Sequence, residues 1–171
     1  IDKYKDLIEK YPRTKRKEEA LYGLGWSYFR LSDFSSSAKV FSQLTNEFPE
    51  SKYLVEIYAR QGDGFYISKI FGKAAEYYQK GAELAPQTEE GQYCAYQLCH
   101  ALYQQGSYDK AIASLLAYVR KYTNSPYAPN ALYLIGWIRF QQKKYADAIE
   151  DFNFLIQAYP KSSLIPRAHF A

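Results

Sequence analysis

Apolar and small residues along the chain recur at intervals of three and four, the spacing that places side chains on one face of an α-helix. The first pair of such segments carries this pattern at nine positions, which are Leu21, Leu24, Gly25, Tyr28, Phe34, Ser37, Phe41, Leu44 and Phe48. No segment alternates cleanly between apolar and polar residues, as a half-buried strand does. The pattern therefore predicts an all-α fold made of pairs of amphipathic helices.

Polar turns and prolines mark where these helices end. Turn signals inside the helix pairs are Ser32-Asp33, Gly106-Ser107 and Lys143-Lys144. Prolines that close the second helices, because proline cannot continue a helix, are Pro49, Pro86 and Pro160. After one such end, Ser125 is predicted to cap the next helix, with Pro126 in its first turn.

The whole pattern repeats every 37 residues. Two columns of small residues keep this period and are expected to let helices approach closely; they are Gly25, Gly62, Cys99 and Gly136, and Ser37, Ala74, Ala111 and Ala148. The period predicts a single repeat array over residues 1–171. It contains four full repeats at residues 17–49, 54–86, 91–123 and 128–160, with the second helix of a partial repeat at residues 1–12 and the start of a further repeat at residues 163–171.

The order of residues within each repeat resembles a known family. Leu-x-x-Leu-Gly-x-x-Tyr at residues 21–28 is followed by an aromatic residue three positions before Ala or Ser, a second aromatic residue and then proline. This resembles the tetratricopeptide repeat, which implies a right-handed α-solenoid of helix-turn-helix units. Departures from the family pattern are Gln61, Cys99, Thr123 and Arg139.

The turn between repeats is three residues longer than in the usual 34-residue repeat. Residues 122–129 and 159–166 are similar to the turns of bacterial envelope members of the family, such as the Tol-Pal-associated cell-division coordinator and the lipoprotein of the outer-membrane assembly machine. This resemblance implies a periplasmic or outer-membrane-associated bacterial protein, with a cytoplasmic location as the alternative. Because the chain starts at Ile1 without an initiator Met, it is expected to be part of a longer protein.

Composition adds one unusual feature, a high content of rings. The chain has 19 Tyr, 10 Phe and 2 Trp, and a net charge of +4 from 22 basic and 18 acidic residues. The basic residues are scattered, so no nucleic-acid partner is expected. No apolar run approaches the roughly 20 residues that span a bilayer, so no membrane insertion of this segment is expected.

Many of the rings fall on one predicted surface. In the family that the chain resembles, the first helices line a concave face, and their positions away from the core here are mostly aromatic although the core does not require rings there. The ten candidates are Tyr22, Trp26, Phe29, Tyr66, Tyr93, Tyr96, Tyr103, Tyr133, Trp137 and Phe140. Exposed rings are typical anchors for peptides, so we expect a groove that binds an apolar or proline-containing segment of a protein partner. The alternative is a structural or oligomerisation module in which the rings pack internally.

Charges near these rings are mixed. Arg30 and Arg139 lie beside the predicted face, and Glu19, Glu56 and Asp63 lie on it, which disfavours a highly charged ligand. Chaperone-binding members of the family need Lys and Asn to clamp a carboxylate, at positions that here are Tyr22, Trp26, Tyr96 and His100. A chaperone tail is therefore not the expected ligand. As a separate expectation, the two ends of the repeat array are candidates for self-association.

The sequence offers little reactive chemistry. Cys94 and Cys99 are predicted to be buried in one helix, too far apart for a disulfide. Cys99 and His100 are adjacent, so their side chains point about 100° apart on a helix and do not form a nucleophile-base pair. No set of four metal ligands is present in the sequence. We therefore expect no enzyme activity, no metal and no cofactor.

Overall fold

The computed structural model describes residues 1–170. The secondary-structure elements in that range are all α-helices. The helices are α1 (Asp2–Lys10), α2 (Lys17–Arg30), α3 (Phe34–Glu47), α4 (Leu54–Ile67), α5 (Phe71–Leu84), α6 (Glu89–Gln104), α7 (Tyr108–Lys121), α8 (Ala128–Gln141), α9 (Tyr145–Ala158) and α10 (Ile165–Phe170). The all-α prediction is confirmed. The starts of α3, α5, α7 and α9 follow one another at the 37-residue period read from the sequence.

The chain divides into two compact units, with the boundary inside α6. Unit 1 comprises residues 1–94, and unit 2 starts at Ala95. In unit 1, α2 packs against α3 and α4 against α5, around a core that includes Leu21, Phe41, Leu44 and Ile57. In unit 2, α8 packs against α7 and α9, around a core that includes Leu115, Ile135, Phe152 and Leu155.

The glycines of the first small-residue column permit close helix approach, as predicted. A Cβ atom added at Gly136 would lie 2.7 Å from a ring carbon of Phe152, and one at Gly62 would lie 2.5 Å from Tyr78. Gly25 faces Phe41 in the same way. Each of these rings lies 16 residues after its glycine, so the helices of a pair meet ring against backbone.

Each turn inside a helix pair contains one residue with left-handed backbone. The φ angles are 60° at Ser32, 60° at Lys69, 80° at Gly106 and 62° at Lys143. Only Gly106 adopts this conformation without the steric cost that a Cβ atom imposes. Three of the four turns were identified in the sequence, and the turn at Lys69 was not.

The predicted cap at Ser125 is wrong. Helix α8 begins at Ala128, with Tyr127 at its N-cap position. Ser125 instead folds the preceding turn: its Oγ accepts the backbone N–H of Tyr127 at 3.3 Å and lies 2.6 Å from the Tyr118 hydroxyl. Ser51 and Ser162 accept the N–H two residues ahead in the same way, at 3.1 and 3.2 Å. A serine that bonds its own turn is not available to cap the helix that follows.

Three further expectations concern helix ends, thiols and membranes. Helices α3, α5 and α9 end two residues before Pro49, Pro86 and Pro160, as predicted. Cys94 and Cys99 are both buried with free thiols. Among the helices within residues 1–170, none combines the length and apolar character that crossing a bilayer would need.

Candidate functional site

Five of the ten predicted anchor rings belong to unit 1. Tyr22, Trp26 and Phe29 share a face of α2, Tyr66 lies on α4, and Tyr93 lies near the start of α6. All five are partly buried. They are therefore neither fully sequestered in the core nor freely exposed, and their contacts decide what each can do.

Arg60 brings three of these rings together. Its guanidinium carbon lies 5.5 Å from the centre of the Trp26 ring, 6.0 Å from that of Phe29 and 5.6 Å from that of Tyr93. A second cation, Arg30, lies 5.8 Å from the Trp26 ring. Each such cation–ring contact contributes about 0.5 to 1 kcal/mol at exposed sites and more where water is excluded. Sequence reasoning missed Arg60, because its repeat position, which it shares with Gly23 and Leu134, was not assigned to the predicted face.

Asp63, predicted to be a charge on the binding face, has a different role. It is 8% exposed, and its Oδ2 atom pairs with Arg60 Nη1 at 2.6 Å. The hydroxyls of Tyr78 and Tyr93 both donate to its Oδ1 atom at 2.8 Å. Burial, and then the charge of Asp63, raise the pKa of Tyr78, so this tyrosine remains a donor. Asp63 therefore holds unit 1 together and is not available to a ligand.

One face of α2 forms a small hollow with Tyr4 of α1 and Glu56 of α4, which we call the Trp26 hollow. It encloses about 480 Å³, and its lining includes Glu19, Tyr22, Trp26, Arg30 and Glu56. Tyr22 stacks on Tyr53 with ring centres 4.0 Å apart and donates a hydrogen bond to Glu56 at 2.5 Å. Burial, and then the Glu56 contact, raise the pKa of Tyr22 to about 12. The hollow thus offers three rings, those of Tyr4, Tyr22 and Trp26, among charges of both signs.

The other five rings belong to unit 2, where Tyr96 is a core residue. It is 9% exposed and stacks on Tyr127 with ring centres 4.9 Å apart. His100 meets its edge at 4.6 Å. The structure thus places Tyr96 inside unit 2 and not on an exposed face.

Trp137 and Tyr133 are the partly buried rings in the middle of α8. Trp137 stacks on Phe140 at 5.7 Å, and Tyr133 lies 5.5 Å from Phe152. Arg139, expected beside this face, points elsewhere: its Nη1 atom donates to both carboxylate oxygens of Asp151, at 2.9 and 3.0 Å. Its charge therefore does not belong to the candidate site.

One whole column of predicted anchors packs at the turns, which is the kind of role that the alternative of internal packing describes. Each ring at the end of a first helix contacts the ring that begins the second helix. The pairs are Phe29–Phe34 at 5.3 Å, Tyr66–Phe71 at 5.3 Å, Tyr103–Tyr108 at 5.8 Å and Phe140–Tyr145 at 5.5 Å. The turn in every full repeat is thus bridged by two rings.

Metal ligands and the adjacent Cys99 and His100 were the candidates for reactive chemistry in the described residues. Within residues 1–170, no group of three or more His, Cys, Asp or Glu side chains is placed to hold a metal ion. Burial raises the pKa of Cys99 to about 12 and lowers that of His100. The thiol therefore stays protonated and the imidazole neutral at pH 7, which is the state of packed core groups and not of an activated pair.

Comparisons with known proteins agree on the repeat type. Two family models of the tetratricopeptide repeat match residues 19–51 and 96–163, together more than half of the chain. No sequence among curated proteins matches significantly.

Several solved structures are similar to this chain in fold. MamA from Desulfovibrio magneticus RS-1 is 18% identical, with a TM-score of 0.70 over 94% of this chain and 85% of that chain. A tetratricopeptide repeat protein from Parabacteroides merdae is 16% identical, with a TM-score of 0.69 over 99% of this chain and 58% of that chain. YrrB, described as having an unusual peptide-binding site, is 18% identical, with a TM-score of 0.72 over 98% of this chain and 80% of that chain. Identities this low establish the fold alone.

Proposed function

Because this chain belongs to the tetratricopeptide repeat family, we propose that it is a non-catalytic scaffold that binds a segment of a partner protein. Proteins of this family typically serve in protein interactions, and the described residues hold neither a metal-binding group nor an activated nucleophile. The proposal assigns the binding to rings on the first helices. It extends to a partner segment that is largely apolar or contains proline.

The Trp26 hollow is the observation that carries this proposal. Trp26 is partly buried between the guanidinium groups of Arg30 and Arg60, and Tyr22 is held by its stack on Tyr53 and its bond to Glu56. Rings fixed in this way lose little rotamer entropy when a ligand covers them. Balanced charges around the rings suit the backbone and polar side chains of a peptide better than a densely charged ligand.

The alternative, in which the rings are internal packing, has support at particular positions. Tyr96 is a core residue, and Phe29, Tyr66, Tyr103 and Phe140 bridge the turns. These five rings stabilise the repeats whatever else they do. Tyr93 is held by its hydrogen bond to Asp63 and its contact with Arg60. The anchors that we propose are therefore the remaining four rings, Tyr22 and Trp26 in unit 1 and Tyr133 and Trp137 in unit 2.

The setting of this interaction is proposed from the sequence resemblance alone. The long turns at residues 122–129 and 159–166, similar to those of envelope members of the family, support a role in assembly or maintenance of the bacterial cell envelope. Detection of the native protein in a periplasmic or outer-membrane fraction would test this part by itself.

The binding proposal is tested with selected peptides. Random peptides displayed on phage are panned against the protein, and calorimetry then measures the affinity of the enriched sequences. Trp26→Ala and Trp137→Ala are expected to weaken binding by about 2 kcal/mol or more, with small changes in thermal stability. Tyr11→Ala and Phe154→Ala serve as matched controls, because these rings are 62% and 53% exposed and lie outside the proposed anchors.

Two results would overturn the proposal. One is a loss of about 3 to 5 kcal/mol of stability in the tryptophan variants with unchanged affinity in the protein that still folds, which is the behaviour of buried packing. The other is enrichment of peptides whose affinity depends on Tyr11 or Phe154 instead.

A further inference from the structure

Unit 1 contains a second concavity, a cleft between α3 and α4 that lies apart from the Trp26 hollow. It encloses about 340 Å³. Its apolar lining includes Phe34, Ala38, Phe65 and Ile70, and its polar lining includes Lys39, Arg60, Gln61 and three serines. This volume is at the lower end of the range of about 300 to 1,000 Å³ found for ligand sites, so the cleft suits one side chain and its backbone more than a large molecule.

The cleft exists because three residues are smaller or more polar than their equivalents two repeats later. Ala38, Gln61 and Gly64 correspond to Ile112, Ile135 and Ile138 in unit 2. There, Ile135 and Ile138 are fully buried and Ile112 packs against the same core. The α7–α8 contact is thus filled by three isoleucines where the α3–α4 contact is open.

Two buried polar atoms beside the cleft have no hydrogen-bond partner. Gln61 is 3% exposed and its Oε1 atom is unpaired, while its amide nitrogen makes only long contacts, 3.5 Å to Ala38 O and 3.3 Å to Ser42 Oγ. Arg60 Nε is likewise buried and unpaired, although its Nη1 atom pairs with Asp63. A buried polar atom without a partner destabilises the protein, so a ligand that forms hydrogen bonds with these two atoms is favoured.

We propose that this cleft is a specificity pocket that takes one apolar residue of a bound peptide. The inference rests on the proposed peptide-binding function and adds a second point of recognition to it. A peptide residue carries one N–H donor and one C=O acceptor beside its side chain, which is the complement of Gln61 Oε1 and Arg60 Nε. Because both atoms are buried in the free protein, this mode of binding requires the two side chains to rotate until the atoms face the cleft.

The charges that line the cleft limit which peptide residue it can bind. Lys39 and Arg60 are the charged residues lining the cleft, and none of the lining residues is acidic. A lysine or arginine side chain from the partner would therefore find no counter-ion there and is excluded. An uncharged apolar side chain against the rings of Phe34 and Phe65 fits best.

The test uses two small probes that differ in one feature. N-methyl-3-phenylpropanamide carries the ring, one carbonyl group and one N–H donor, and methyl 3-phenylpropanoate has an ester oxygen in place of that N–H. Each is titrated into the intact ¹⁵N-labelled protein while the backbone amides of Gly64 and Phe65, the Nε–H of Arg60 and the side-chain amide of Gln61 are followed. We expect saturable shifts at these four groups and about tenfold tighter binding of the amide, which corresponds to about 1.4 kcal/mol.

Two variants and one control test the space in the cleft and the acceptor role of Gln61 separately. Ala38→Ile fills the cleft as Ile112 does in unit 2 and is expected to raise the Kd of both probes at least about tenfold. Ala75→Ile, in the same repeat column on α5 and outside the lining, is the matched control and leaves the Kd unchanged. Gln61→Leu, which restores the residue type of Leu24 and Leu98, is expected to bind both probes equally, because it removes the unpaired acceptor.

Absence of saturable shifts at Gly64 and Phe65 overturns the proposal, as does an unchanged Kd in Ala38→Ile that folds with a normal melt. A preference for the amide that survives Gln61→Leu overturns the assignment of the acceptor. These outcomes do not depend on the phage-selected peptides. If binding of those peptides requires Trp26 while neither probe shifts the signals of the cleft residues, the proposed function stands and only the specificity pocket is rejected.

Discussion

Tyr78 and Tyr93 donate hydrogen bonds to the same atom, Asp63 Oδ1, each over 2.8 Å. The two tyrosines come from α5 and from the start of α6, and the aspartate lies in the middle of α4. One carboxylate thus ties three helices of unit 1 together, and its other oxygen holds Arg60 among the rings of the candidate site.

Removal of this carboxylate should therefore be far more damaging than removal of one donor. Asp63→Ala leaves a partly buried arginine and two hydroxyls without their acceptor and is expected to cost about 3 kcal/mol or more. Tyr93→Phe removes one bond while Tyr78 and Arg60 keep theirs, and is expected to cost about 1 kcal/mol. Urea unfolding of both variants measures the difference; equal costs would show that the three contacts do not act through Asp63.

The third repeat replaces the glycine-against-ring contact with a different pair. Glycines at positions 25, 62 and 136 face the rings of Phe41, Tyr78 and Phe152, whereas the equivalent positions in the third repeat are Cys99 and Leu115. Leu115 is fully buried, so Leu115→Phe is expected to overpack the site by about 1 to 3 kcal/mol.

Adding Cys99→Gly should recover much of that loss, because it restores the combination found in the other repeats. A double-mutant cycle measured by denaturant unfolding gives the coupling, which we expect to favour the double variant by about 1 kcal/mol or more. Additive costs would mean that positions 99 and 115 do not share a contact.

The left-handed turn residues offer a route to higher stability. Lys69 and Lys143 have φ angles of 60° and 62° and exposed side chains. Replacing either with glycine removes the strain of a Cβ atom in this conformation and is expected to raise stability by up to about 1 kcal/mol. Gly106→Ala should act in the opposite direction. Thermal melts compare the three variants, and a lower melting temperature for both lysine variants would contradict the expectation.

Asp151 should make stability depend on pH. Its side chain is 14% exposed, and burial raises its pKa to about 6 although Arg139 acts in the opposite direction. Between about pH 4 and pH 6 the folded state holds a proton that the unfolded state has lost, so the free energy of unfolding falls as pH rises through that window. The full loss is about 3 kcal/mol; it is complete above the folded pKa and absent below the unfolded pKa.

Asp151→Asn cannot titrate, so the difference in unfolding free energy between it and the natural protein isolates this group from the other carboxylates. That difference should change across pH 4 to 6 and be constant from pH 7 to 8. A difference that stays constant from pH 4 to 8 would show that the carboxyl group has an ordinary pKa in the fold.

Repeat periodicity predicted the helices well because it is a property of single segments. It also marked Arg139 as unusual in a column that holds Tyr28 and Phe65. It did not show that the partner had changed too: Phe65 stacks on Tyr77 at 5.4 Å, and the equivalent partner of Arg139 is Asp151. The Phe65–Tyr77 ring pair and the Arg139–Asp151 ion pair occupy equivalent positions in their repeats. The change from a ring to Arg139 is therefore matched by a change from a ring to Asp151, which only the contact between the two helices reveals.

The candidate site was predicted less well for a related reason. Helical spacing predicts which face of a helix a residue lies on but not how deeply its side chain is buried. Tyr22 and Tyr96 therefore looked equivalent in the sequence. Both stack on a tyrosine of the turn before the next helix pair, yet Tyr22 is partly buried beside a hollow and Tyr96 is enclosed in a core. The α3–α4 cleft was missed because it depends on residues from two helices that no single column contains.

The ring pairs that bridge the turns, such as Phe29 with Phe34, have a consequence for how the chain folds. Partners only five residues apart close a short loop at little entropic cost, in far less than a microsecond once the chain is free to search. Each of the four full repeats carries such a pair, so the corner of each helix hairpin is able to form before any distant contact. We therefore expect folding to start at several places along the chain and to be fast for its length, since topologies rich in near-neighbour contacts have low kinetic barriers.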